Sequence, residues 1–144
     1  MTQEDKELLI KDLCARLPYG VKAEYYDPDA ERKNLDVIED LYNADCINHV
    51  EVGIGQYGLK LDEVKPYLFP MSSMTEEQQN EFDRTYTNDM QVVSNNLKNR
   101  LDGQSYEMNL GHYRHIDWLN ANHFDYRGLI EKGLALDATG LNIY

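Results

Sequence analysis

The hydrophobic pattern changes period twice, near Gly20 and again near Thr75, and these two switches bound what the chain can fold into. Before the first switch, Ile10, Leu13, Cys14 and Leu17 recur at i, i+3, i+4 and i+7, one buried stripe along a helix. Thr2 can cap that helix, Glu4 and Asp5 stand where its dipole favours acids, and Pro18 stops it. Cys14 falls on the stripe, where a thiol packs as a small hydrophobe. After Gly20 the period is two. Val21, Ala23 and Tyr25 alternate with Lys22 and Glu24, as in a strand buried on one face.

Asp27-Pro28-Asp29 is turn chemistry, and Leu35, Val37, Glu39 and Leu41 continue an alternation less cleanly. Asn43-Ala44-Asp45 marks another turn, Cys46 to Val52 reads as a third strand that Gly53-Ile54-Gly55 breaks, and Gln56 to Leu61 as a short fourth. Pro66 and Pro70 bracket Tyr67-Leu68-Phe69, which reads as an apolar crossing segment rather than a strand. At Thr75 helical signals return, with Gln78 completing a capping box. Phe82, Tyr86, Met90, Val93, Leu97 and Leu101 then form one long stripe. Ile116, Trp118 and Leu119 suggest a helix ending near Asn122, and Asp125 can cap a further one, with Leu129 and Ile130 inward and Gly133 closing it. The expected fold is α+β in one domain over residues 1–144: an N-terminal helix, a small curled antiparallel sheet or barrel-like meander, and C-terminal helices packed on it.

Charge narrows the functional classes. The chain carries 26 acidic and 14 basic residues, a formal net charge of −12, which opposes contact with phosphate backbones and anionic lipid. Direct nucleic-acid binding and membrane association are not expected. A basic protein partner, or mimicry of nucleic acid, fits better. Two cysteines are too few for a disulfide framework or a four-ligand zinc site. With no signal-peptide pattern and no apolar run of about 20 residues, the expected location is cytoplasmic.

Candidate chemistry is sparse. His112, His115 and His123, with Asp117 and Asp125 nearby, could supply a metal-dependent hydrolase, but no glutamate stands between two histidines as in zinc-protease helices. Ser72 and Ser73 are explained by helix capping. Cys46 and His49, three apart, would point to opposite faces of a strand. Gly53-Ile54-Gly55-Gln56-Tyr57-Gly58 looks like a hairpin turn rather than a phosphate loop, because strand rather than helix follows. No catalytic residue, metal ligand or cofactor is assigned. The densest charge lies over residues 24–51, where nine acids face Arg32 and Lys33 alone. A solvated sheet edge would explain them, and so would a recognition face for a basic partner. The candidate binding residues are Glu24, Asp27, Asp29, Glu39, Asp40 and Asp45, with Tyr25, Tyr26 and Tyr42 among them.

Three stretches look familiar together: 9–22, carrying Arg16-Leu17-Pro18-Tyr19-Gly20; 64–77, carrying Lys65-Pro66-Tyr67-Leu68-Phe69-Pro70; and 117–136, carrying Trp118-Leu119-Asn120-Ala121-Asn122-His123-Phe124-Asp125. On these the chain resembles a group of small uncharacterised proteins of gut Bacteroidales, often encoded in prophage or other mobile-element neighbourhoods. The resemblance covers somewhat under half the chain and gives no residue a role. It implies a phage or mobile-element accessory protein rather than housekeeping metabolism. The expected function is therefore a non-enzymatic protein binder, and the alternative is the hydrolase built on the C-terminal histidines.

Overall fold

The computed structural model describes residues 1–43, 49–85 and 114–144. Two compact units are distinguished, one formed by Met1–Met71 with His123–Tyr144 and the other by Ser72–Asn122. The fold is α+β. In the first unit helix α1 (Gln3–Arg16) is followed by strands β1 (Lys22–Asp27), β2 (Arg32–Tyr42), β3 (Glu51–Ile54), β4 (Tyr57–Lys60) and β5 (Val64–Pro70), then the short β6 (Phe124–Asp125) and β7 (Leu136–Asp137).

Helix α1 begins as the sequence predicts. The Thr2 hydroxyl accepts from the Asp5 amide at 3.1 Å while Asp5 accepts from the Thr2 amide at 3.1 Å, a reciprocal capping box. The expected stripe holds at Ile10, Leu13 and Leu17, which pack in or against the core, and fails at Cys14. Leu9, Ile10, Asp12, Leu13 and Arg16 are buried, whereas Cys14 is exposed. The stripe is rotated because Asp12 and Arg16, four apart on one face, neutralise one another and go inside together.

Strands β1 to β4 form a consecutive antiparallel meander, and the sheet order is β4-β3-β2-β1-β5-β6, with β7 also on β5. The pairings to β6 and β7 are parallel, so the sheet is mixed, and it is not closed into a barrel. Tyr67 to Phe69 belong to a strand, contrary to the crossing segment expected from the two prolines. Strand β5 pairs with β1 over Ala23 to Tyr25 only, and with β6 and β7 over two residues each. Ladders that short ask few amides of β5, so Pro66 and Pro70 are accommodated. Gly53 and Ile54 likewise continue β3 instead of breaking it. The reversal is the two-residue turn Gly55-Gln56 between Ile54 and Tyr57, with Gly55 at φ +56.

Register decides which side chains face the core. Val21, Ala23 and Tyr25 are buried as predicted, alongside Leu9, Leu13, Val52, Ile54, Val64 and Leu68. Lys22 stands opposite Val37, and Glu24 opposite Leu35, which places Leu35 and Val37 on the other face of the sheet. Ile38 is the β2 residue that enters the core. The ladder then slips: Ile38 faces Ile54, but Asp40 faces Gly53, so Glu39 is an extra residue in β2, a bulge. The bulge brings Leu41, opposite Val52, back to the core side and leaves Asp40 and Tyr42 outward. The imperfect alternation of β2 in the sequence is this phase change.

Residues after Asp125 do not make the expected helix. Asp125 accepts from the amides of Leu129 and Ile130, both at 2.9 Å, in the manner of a cap, but over a series of turns with Gly128 and Gly133 at positive φ. In the second unit Thr75 and Gln78 form the predicted capping box, with bonds of 2.9 and 3.2 Å, ahead of helical residues 76–85 (α2). Helix α3 spans Arg114–Ala121, and Phe82 packs its ring against Trp118 and His115, at centroid distances of 5.7 and 6.4 Å. Tyr86, Met90, Val93, Leu97 and Leu101 lie outside the described residues.

Candidate binding face

The acidic segment is divided by the sheet into two groups with different fates. One group surrounds the β1–β2 turn. Asp27 Oδ1 accepts from the amides of Asp29 and Ala30 at 3.0 and 3.1 Å and from the Tyr57 hydroxyl at 3.0 Å. Asp29 Oδ2 lies 2.6 Å from the same hydroxyl and accepts from Gln56 Nε2 at 3.0 Å. These bonds tie the β1–β2 turn to the β3–β4 turn. The Asp29 carboxylate holds the Tyr57 proton, with smaller contributions from burial and Asp27, and pushes the phenol up to about 12. Asp27, whose acidity is strengthened chiefly by the Ala30 amide, is engaged by its own chain. Both carboxylates build the fold.

The second group faces away from the core. Cross-strand pairing puts Lys22, Glu24, Tyr26, Lys33, Asp40 and Tyr42 on one side of the sheet. Tyr26 and Tyr42 are 56% and 52% exposed, more than any other tyrosine among the described residues. Glu24 is half-buried, 2.6 Å from Lys33 Nζ and 3.3 Å from the Tyr67 hydroxyl. An open groove of about 210 Å³ lies here, with Glu24, Tyr26, Lys33, Asp62, Glu63 and Lys65 on its walls. Tyr25, also expected among the surface acids, is in the core instead.

Asp40 differs from the other candidate acids among the described residues. It stands over Gly53, so close that a Cβ there would meet Asp40 Oδ1 at 1.9 Å. Glycine at 53 is thus what lets the carboxylate lie against the backbone. Oδ1 is buried and accepts no hydrogen bond, while the carboxylate holds the hydroxyl of Tyr42 and thereby raises the pKa of that phenol. Glu39 is exposed at the bulge, and Asp45 lies outside the described residues.

The C-terminal histidines do different work. His115 meets Phe82 edge-on, and the His123 ring is stacked on Tyr144 at 3.7 Å. His112 lies outside the described residues. Among the described residues no three His, Cys, Asp or Glu side chains are grouped so as to hold a metal ion, and no helix is long and apolar enough to cross a membrane. The arrangement missed by sequence reasoning is the buried Asp12–Arg16 pair. Its signal was the i, i+4 spacing on the same stripe as Leu9 and Leu13. Compared with family models, curated proteins and solved structures, the chain matches none.

Proposed function

We propose that the chain is a non-enzymatic protein-binding domain that takes a basic partner on the open face of its sheet. The observation that carries this reading is Asp40. Its carboxylate lies beside exposed Tyr42 on that face with Oδ1 enclosed over Gly53 and without a donor, so a side-chain rotation that brings it out to a partner's lysine or arginine gives up no hydrogen bond at Oδ1. Exposed Tyr26 and Tyr42 on the same face add apolar contact area with polar tips, the composition common at interface centres. Glu24 and Glu39 extend the negative potential that would steer a cation to the site. Asp27 and Asp29 drop out of the contact set because turn formation uses them. The phage or mobile-element context of such an accessory protein is proposed on the sequence resemblance alone.

The test is association with a partner captured from the native host and then purified, followed across a salt series. An Asp40→Lys variant should bind at least about tenfold more weakly and lose part of the salt dependence. Glu7→Lys, the same charge change on the exposed side of α1, should bind like the parent. Equal losses in both variants would reduce the effect to net charge, and unchanged binding by Asp40→Lys would remove the reading.

A further inference from the structure

The polar cluster beneath α1 has more donors than acceptors. Asp12 and Arg16 are both fully enclosed. Arg16 donates from Nε to Asp12 Oδ2 at 2.7 Å, from Nη2 to Oδ1 at 3.1 Å, and from Nη2 to the Phe124 carbonyl at 2.7 Å. Arg127 Nε lies 3.6 Å from the same Asp12 Oδ1, and its Nη2 donates to the Tyr126 hydroxyl at 2.8 Å. Both guanidiniums lie over the Tyr126 ring, 5.6 and 4.9 Å from its centroid. Three nitrogens are left buried with no partner: Arg16 Nη1, Arg127 Nη1 and His123 Nδ1.

Charge is unbalanced as well. Asp125, the other buried carboxylate here, is directed at the Leu129 and Ile130 amides and pairs with neither arginine. One carboxylate therefore serves two guanidiniums. Lys22 adds a third cation at the margin, donating from Nζ to the Ile143 carbonyl and lying 5.9 Å from the Tyr144 ring.

We propose that this cluster is a binding site for a small oxyanion, held by the free N–H groups of Arg16 and Arg127 with His123 beside them. A guanidinium matches the oxygens of a carboxylate or phosphate in spacing and charge. Buried water could accept from one of these donors, but it brings no charge to set against the second guanidinium. An oxyanion supplies both. It would also offset the positive field on His123, whose pKa is lowered to about 4 by burial first and then by Arg16 and Lys22.

The experiment uses the whole chain and inorganic phosphate as probe, with sulfate and acetate as further arms and sodium chloride matching ionic strength. Phosphate should raise the melting temperature saturably above the chloride control, and the His123 ring signals in an NMR titration should show its pKa rising. Acetate alone reproducing both effects would place a carboxylate in the site, and phosphate or sulfate alone a tetrahedral anion. Arg127→Lys keeps the charge, loses Nη1, and sits at a side chain 15% exposed, where a lysine can be accommodated. It should need at least about tenfold more phosphate for half-saturation. Melting in phosphate equal to that in chloride, with an unmoved His123 titration, would overturn the proposal. So would the same half-saturation in Arg127→Lys and the parent. If the variant does not fold, the His123 titration of the parent decides.

Discussion

The molecule handles charge in two opposite ways, and comparing the cluster beneath α1 with the open face of the sheet shows why each is where it is. Beneath α1, Asp12 and Arg16 have left water altogether, and the bonds between them are not screened by solvent. On the open face the Glu24–Lys33 pair keeps much of its hydration, with the lysine side chain 73% exposed. A carboxylate–cation distance near 2.7 Å occurs in both places, yet its energetic meaning differs, because water screens one pair and not the other. Geometry alone does not rank ion pairs.

The largest effect should come from removing one buried partner. Asp12→Ala leaves Arg16 enclosed without its counter-charge and should cost about 3–5 kcal/mol, read as a drop in the denaturant midpoint. Replacing both, Asp12→Leu with Arg16→Met, should recover most of that loss, since an apolar pair of similar volume needs no desolvation. A double variant as unstable as Asp12→Ala would show that the pair is needed for more than its own neutrality.

Next in size is a pH effect on the closed side. His123 is buried and neutral, with its pKa lowered to about 4, so between that value and about 6.5 the unfolded chain binds more protons than the folded one. Stability should be complete above about pH 6.5 and fall as pH drops through this window, by at most about 2 kcal/mol once screening is allowed for. Asp5, Asp27 and Asp137 also lose stabilisation on acidification, but below their usual range near 3.8. His123→Gln should therefore flatten the profile between pH 4 and 6.5 and leave the steeper fall below it. An unchanged profile would assign the window to another group.

The smallest effect belongs to the open face. Glu24→Gln removes the charge facing Lys33 and should change stability by only tenths of a kcal/mol, less still at high salt. Chemical denaturation at two salt concentrations checks it. A loss above about 1 kcal/mol would mean that Glu24 and the Tyr67 hydroxyl form a better protected pair than their exposure suggests.

Much of the architecture was legible because it rests on local rules. The Thr2 cap, the Thr75 capping box, the Val21–Ala23–Tyr25 alternation and the reversal near Gly55 each need only a few adjacent residues. What escaped depends on partners far along the chain. Asp12 and Arg16 look like solvent-facing charges until Phe124 and Arg127 arrive more than a hundred residues later. The prolines of β5 argue against a strand until short ladders on both sides make their missing amides tolerable. For the candidate face, the acid-rich segment was visible, but its division was not. Which acids are consumed by turns and which look outward follows from the register between β1 and β2 and from Tyr57, on a different hairpin.

The extra residue at Glu39 makes β2 a strand with two phases, and its length there is as informative as its chemistry. Removing Glu39 would close the ladder into an even run, with Asp40 on Gly53, Leu41 on Val52 and Tyr42 on Glu51, so inside and outside stay as they are and only the local bend is lost. The bulge is therefore a place where β2 can lose one residue without turning its faces over. Among natural variants of the protein, a one-residue gap in this strand should accordingly fall at Glu39 before anywhere else, with Leu41 still opposite Val52.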